Sequence, residues 1–556
     1  MSATKSQIRP GAYFDSVVLM QLQRNLLKLP GVEDAGVVMA TPANLELLAD
    51  SALLSTEGKS AKPEDLLIVV RASAAKEAEA ALAQVDQLLK QRQSTVAATF
   101  RPRSLAAAAK NLPAAEWVLI SVPGRYAAKV ADEALELGKH VFLYSDNVSL
   151  EDEVRLKKTA AEKNLLVMGP DCGTASINGI GLGFANRVRR GDIGLVAASG
   201  TGLQAVSAGI HNLGGGISQA IGTGGRDLKA EVGASTMLQG LHYLAADADT
   251  KVIVLISKPP DEEIATRLLA AAHRAGKPVV VDFIGFAPPA AQIGSLHFAS
   301  GLDQAARLAV ELSRLPIEKE KSRTSKTGEG FLRGLFSGGT LAYEALNGLQ
   351  LFLAPIYSNA PMRTGQALEN PLNSQAHTIL DLGEDEFTVG RLHPMLDNDL
   401  RLRRMKQEAG DLEVGLILLD IVLGEGAHPD PAGELAPAIA AHRKIRPDLE
   451  FVALVIGTED DPQQLGNQIK QLTKAGATVF REVAPTVDYI VSKLAKPPSQ
   501  VPVVGRFAEP LQAINVGVES FYASLRSQGA EAVQVDWRPP ASGNEDLMSI
   551  LEKMKA

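Results

Sequence analysis

Twice in this chain an apolar run of strand length reaches a Ser-Gly pair and passes straight into a helix-patterned segment, AASGTGLQAV at 197–206 and FSGGTLAYEA at 336–345. A strand, a glycine turn and a helix in that order make the first half of a βαβ unit, which requires a parallel sheet with helices on its faces. Each occurrence is followed by a second strand with a glycine-bearing loop (IGTGGRDL and LDLGEDEFTVGR). Each then gives a buried strand that ends in a loop (VIVLISKPP and LILLDIVLGEGAHPD). A duplication is the simplest account of two parallel series. Strands alternate with amphipathic helices elsewhere too, so the expected class is α/β and, at 556 residues, multidomain.

Changes of pattern divide the chain. An N-terminal α/β domain is expected at 1–105 and a Rossmann-like unit at 106–190. A first flavodoxin-type domain follows at 191–314, then a linker at 315–330 (LPIEKEKSRTSKTGEG), polar, charge-alternating and without an apolar face. A second flavodoxin-type domain takes 331–500, and an α/β tail closes the chain at 501–556. Acidic residues outnumber basic ones, 64 to 56, which excludes a nucleic-acid or anionic-membrane partner held by bulk charge. The single cysteine, Cys172, excludes an internal disulfide framework and multi-thiolate metal sites. No apolar run approaches the roughly 18 residues that cross a bilayer, and MSATKSQIRPGAYFDS has no signal-peptide core. A cytoplasmic protein is expected, with no metal and no cofactor.

The glycine turns carry the candidate chemistry. Ser199-Gly200-Thr201-Gly202 reads either as an ordinary turn with a Ser N-cap or as an anion pocket of open N–H groups at a helix start. It matches neither a Walker loop nor a dinucleotide fingerprint. Ser337-Gly338-Gly339-Thr340 repeats the arrangement, and two such helix starts could hold one tetrahedral anion between them. Arg226, beside Gly224 and Gly225, and Arg391 could grip a carboxylate or phosphate in bidentate fashion. His393 could move a proton near neutral pH or serve as a structural hydrogen bonder, and His428 is comparable. Lys258 ends a strand, where an α/β sheet usually places its ligand. Cys172, in MGPDCGT, reads as a small buried thiol.

VMGPDCGTASINGIGLGFAN, IGLVAASGTGLQ, IGTGGRDL and ISKPP together resemble the α subunit of succinyl-CoA synthetase, and the half after the linker resembles the ligase domain that ends its β subunit. Over nearly its whole length the chain resembles the FdrA family, through YFDSVVLM, MATPAN, SDNVSLEDE, GRLHPMLD, LGEGAHPDPA and AINVGVESF. That resemblance implies a subunit of an oxamate carbamoyltransferase, splitting oxalurate with phosphate into oxamate and carbamoyl phosphate in ureide breakdown. Other subunits of the complex would be its partners, with a homo-oligomer possible. The alternatives are an acyl-CoA synthetase of the succinyl-CoA synthetase kind, using a nucleotide through a partner, and a non-catalytic scaffold. MATPAN has no glycine for a CoA-binding Rossmann turn, and QIGSLHFASG puts His297 in a strand-like run rather than a phosphohistidine loop. Under the first reading Ser199, Gly200, Thr201, Gly202, Ser337, Gly338, Gly339 and Thr340 bind phosphate, Arg226 and Arg391 hold the anion, and His393 assists proton transfer.

Overall fold

The computed structural model describes residues 2–10, 12, 16–63, 65–90, 101–286, 288–316, 330–496 and 501–539. Apart from its ends, the expected linker at 315–330 lies outside the described residues. The chain forms two compact units, one of residues 1–171 with 507–556 and one of residues 172–506.

The first unit opens with an antiparallel sheet in the order β1-β3-β2, from β1 (Ala3–Arg9), β2 (Val32–Met39) and β3 (Leu66–Ala72). LLIVV on β3 is buried between helices Ser16–Leu26 and Ala75–Ala83 on one face and helix Pro42–Asp50 on the other. A parallel sheet follows, built from β4 (Trp117–Ile120), β5 (His140–Leu143) and β6 (Val167–Met168). Numbering strands along the chain, it is completed by β21 (Gln512–Val516) and β22 (Glu531–Val535) in the order β22-β21-β4-β5-β6. This is the Rossmann strand order. The segment 501–556, read as a separate tail, thus supplies the fourth and fifth strands of that sheet, and residues 172–506 are inserted after its third. The edge explains why: WVLI of β4 is buried on both faces, and without β21 its unpaired backbone groups would be exposed.

In the second unit β7 (Thr174–Ile177) and β8 (Ile180–Gly183) form a hairpin, expected within 106–190, that instead joins the following sheet. That sheet also contains β9 (Arg190–Ala197), β10 (Ile217–Gly222), β11 (Val252–Ser257), β12 (Val279–Phe283), β13 (Gln292–Ile293) and β14 (Leu296–Phe298), in the order β13-β14-β12-β11-β9-β10-β7-β8. The next sheet has the order β16-β17-β15-β18-β19-β20, from β15 (Phe331–Phe336), β16 (Ile356–Ser358), β17 (His377–Asp381), β18 (Val414–Val422), β19 (Glu450–Ile456) and β20 (Thr478–Phe480). Both hold the same parallel core, β10-β9-β11-β12-β14 and β17-β15-β18-β19-β20, with the first strand between the second and third. That is the flavodoxin-like order, whose ligand crevice opens where chain direction switches, at the carboxyl ends of the first and third strands. Central strands such as VIVLIS of β11 are buried on both faces, which is why they read as unbroken apolar runs. The two halves meet through helix Val483–Leu494: His273 Nε2 lies 2.6 Å from Asp488 Oδ1, and Arg274 donates to the Ala495 carbonyl at 2.6 Å.

Two buried histidines link this packing to pH. Leu166 N–H donates to His140 Nδ1 at 3.0 Å and Leu332 N–H to His377 Nδ1 at 3.1 Å. Burial pulls both imidazoles from 6.5 down to about 4, and the charges of Arg333 and Lys496 add to the effect at His377. An unfolded imidazole takes its proton near ~6.5. The stability held by keeping each ring neutral is therefore complete above pH 6.5 and is lost as pH falls toward 4. Thermal midpoints measured across that window should fall steeply, and His377→Gln should flatten the fall. A wild-type midpoint constant across the window would contradict the assignment.

Candidate functional site

In the first half, β9 delivers Ala198 and Ser199 to the start of helix Gly200–Asn212. Ser199 is the N-cap, its Oγ accepting from Gly202 N–H at 3.1 Å. A Cβ at position 202 would lie 2.7 Å from that Oγ, so the tight cap requires glycine there. Among the described residues no protein group accepts from the N–H of Ser199, Gly200 or Thr201, and Gly200 and Thr201 are exposed. The helix start therefore presents free donors and the positive end of its dipole to solvent.

Beside it, at the carboxyl ends of β9 and β11, lies a cleft of about 560 Å³ lined by residues including Ala198, Gly225, Lys229, Ser257, Lys258 and Asp261. Lys258 is exposed on its rim, whereas Ser257 is fully buried and its hydroxyl makes no hydrogen bond. The loop after β10 borders the cleft: Gly224 takes φ +82°, a left-handed conformation suited to glycine, and Arg226 is half-buried. Asp227 is committed elsewhere, accepting from Thr236 N–H at 3.1 Å and Met237 N–H at 2.9 Å to cap the next helix.

The second half differs from expectation. Two residues again separate strand from helix, Ser337 and Gly338 before helix Gly339–Leu349, so Gly338 rather than Ser337 stands where Ser199 stands. Gly338 provides no side-chain cap. The donors assigned to a ligand are occupied by the Asp420 carboxylate, which accepts from Ser337 N–H at 2.7 Å, Ser337 Oγ at 3.0 Å and Gly338 N–H at 2.9 Å. Arg401 Nη1 adds a contact at 2.9 Å and also reaches the Asp420 carbonyl. Both side chains are buried, so desolvation pushes the Asp420 carboxyl up and Arg401 down, while their mutual attraction and the Ser337–Gly338 donors oppose this. A methyl on Gly339 would collide with Asp381 Oδ2. Ser337 and Gly338 thus have their donors taken by an internal carboxylate rather than left open for an anion shared between two helix starts.

His393 is partly buried, with Nδ1 accepting from Met395 N–H at 3.2 Å, and it lines a separate cleft of about 390 Å³ with Met395, Leu423, Gly424 and Ala427. Arg391 is exposed in the preceding loop. The structure therefore puts Lys258 and Gly225 on one cleft and His393 on another, with Arg226 and Arg391 in the loops that lead to them and lining neither. His428 accepts from Asp430 N–H at 3.1 Å and sits 3.2 Å from Glu434 Oε2. His297 lies on β14, where burial lowers its pKa, and Cys172 is buried against the Thr174 carbonyl. Asp420, Arg401 and Ser257 were not singled out from sequence. The available signal was an acid inside the apolar run VGLILLDIV, which must have a buried partner.

Two family models match, one described as "AllF, heavy metal-associated domain" over residues 1–102 and one as "CoA-ligase" over residues 335–488. Residues 1–102 contain neither cysteine nor histidine, and no group of three or more potential metal ligands occurs among the described residues, so a heavy-metal site does not fit them. The protein YahF of Escherichia coli (strain K12) is 40% identical over 490 residues, covering 85% of this chain and 95% of YahF. Succinate–CoA ligase [ADP-forming] subunit alpha 2 of Archaeoglobus fulgidus is 28% identical over 183 residues, covering 32% of this chain and 61% of that subunit. A solved dinucleotide-forming acetyl-coenzyme A synthetase from Ca. Korarchaeum cryptofilum is 15% identical, with a TM-score of 0.28, covering 74% of this chain and 84% of that one. The CoA-ligase family model and the Archaeoglobus fulgidus relative overturn the expected carbamoyltransferase, since the activities they name are those of CoA ligases.

Replacing Asp420 by Ala leaves Arg401 buried and unpaired, which should destabilise the protein by about 3–5 kcal/mol. Ser337→Ala removes one hydrogen bond and should cost about 1 kcal/mol. Urea titration of both variants checks the ranking; equal losses would show that Asp420 is not the centre of the turn.

Proposed function

From the premise that this chain belongs to the family of YahF, a family of succinyl-CoA synthetase-like proteins, we propose that it works as a subunit of an acyl-CoA synthetase of the nucleotide-dependent CoA-ligase type. The observation that carries this reading is the first-half crevice, where an open helix start adjoins a cleft at the switch point of a flavodoxin-type sheet. Activation of a carboxylic acid brings carboxylate and phosphoryl oxygens to one place, and the charge they carry needs preorganised donors. In this proposal the amides of Ser199, Gly200 and Thr201 hold an anionic oxygen. Gly202 keeps the cap tight, Lys258 supplies a mobile positive charge at the rim, and Arg226 with Gly224 and Gly225 shapes the opposite wall.

Holding substrates in position accounts for a large part of such catalysis, and no covalent nucleophile from this chain is required. No nucleotide-binding module is read in the sequence, so the nucleotide is proposed to enter with a partner subunit. His393, which lines the other cleft, and Arg391, in the loop before it, are proposed to contact a different part of the substrate assembly.

The test is to purify the chain with the proteins it binds and to measure CoA- and nucleotide-dependent ester formation across short-chain carboxylic acids. Thioester is expected. Gly200→Asp, at a position where a Cβ meets no atom closer than 3.9 Å, should reduce it by about tenfold or more by placing a like charge in the first helical turn. Absence of any CoA-dependent product from the complex would sink the proposal.

A further inference from the structure

The two flavodoxin-type halves can be compared residue by residue, because the sheet register aligns them. Across the carboxyl ends of the first half, Gly222 pairs with Ala197, Ala197 with Ile256, and Ile256 with Asp282. Across the second, Asp381 pairs with Phe336, and the pairing of Leu335 with Leu419 brings Phe336 beside Asp420, which pairs with Leu454. Ala197 and Phe336 each end their strand and are followed by two residues before the helix starts, so the rows correspond. Asp381 then occupies the place of Gly222, and Asp420 the place of Ile256.

The consequence is electrostatic. The second helix start faces two carboxylates: Asp420 takes the Ser337 and Gly338 donors, and Asp381 abuts Gly339. Its dipole is satisfied from within the chain. At the first start the same two positions are a glycine and an isoleucine, whose Cγ2 would touch a Cβ placed on Gly202 at 3.2 Å. Asp282, one strand further along, is buried with one oxygen unbonded, and burial pushes its carboxyl toward the neutral form. The adjoining cleft holds Lys229 and Lys258 with Glu231 and Asp261, the last engaged in capping Glu263 N–H at 3.1 Å. Ser257, fully buried and with its hydroxyl unbonded, is among the residues lining that same cleft.

We propose that the residue pair Gly222/Ile256, answered by Asp381/Asp420 in the second half, determines which of the duplicated crevices accepts an external anion, so that the chain binds one phosphate- or carboxylate-bearing ligand, at the first helix start only. The inference rests on the anion site of the proposed function and adds to it the residues that set its number and location. Asp420 also shows what fills such a turn: one carboxylate, accepting from consecutive backbone N–H groups.

The test uses the full chain and inorganic phosphate, with binding and stoichiometry read by calorimetry and by phosphorus NMR. Wild type should bind one equivalent. Ile256→Asp should weaken binding by about tenfold or more through like-charge repulsion, whereas the neutral Ile256→Asn, which controls for a buried polar side chain, should bind severalfold better than the Asp variant. Asp381→Gly with Asp420→Ile and Arg401→Met, which removes the unpaired guanidinium too, should gain a second equivalent. Failure of wild type to bind phosphate overturns the anion site itself. One equivalent in wild type that persists undiminished in Ile256→Asp overturns the selector while leaving the site intact. Two equivalents in wild type overturn the restriction to the first half. Should Ile256→Asp fail to fold, the wild-type stoichiometry and the triple variant still decide.

Discussion

Four donors converge on the Asp420 carboxylate: the Ser337 N–H and hydroxyl, the Gly338 N–H and the Arg401 guanidinium. A buried carboxylate is tolerated only when its lost hydration is replaced in this way. The arrangement fixes the turn between β15 and its helix and ties β18 to helix Asp399–Gly410 through Arg401. It also takes up the donors of that helix start. A turn whose donors are saturated from inside is a structural joint, whereas the corresponding turn at Ser199 keeps its amides open. The same local geometry thus has its donors filled in one half and open in the other, and the difference lies on the neighbouring strands rather than in the Ser-Gly motif.

Much of the fold was legible because parallel strands buried on both faces announce themselves. VIVLIS, PVVVDF and VGLILLDIV each became a central strand, and the duplicated order of strand, glycine turn and helix corresponds to two sheets with one shared topology. Strand partnership over long separations was not legible. Nothing local in AINVGV or AVQVDW says that these strands pair beside WVLI across an insertion of more than three hundred residues. Register of that kind is set by tertiary edge pairing, which periodicity within a segment does not encode.

The candidate site was legible as a motif, but the partners that fill its second copy were not. The repeated Ser-Gly pair invited the alignment of Ser199 with Ser337, but helix starts are aligned by where the strand ends, which places Ser199 opposite Gly338. Asp420 lies 83 residues beyond Ser337 in sequence, so its occupation of the turn had no local signal other than a lone acid within an apolar strand. Likewise Arg401 and Arg404, on a helix rich in basic residues, are both buried, on Asp420 and Glu408. Buried charge is where sequence reading is weakest, since the partner that makes it tolerable comes from another element.

The central claim is that the open turn at Ser199 takes an external anion and the turn at Gly338 does not. The most direct measurement is a crystal structure of the full chain soaked in arsenate, located by its anomalous signal. The account predicts one peak within hydrogen-bonding distance of the Ser199–Thr201 amides, beside Ser257 and Lys258, and none at the second helix start. A peak at Gly338–Thr340, with Asp420 displaced from its donors, would contradict it.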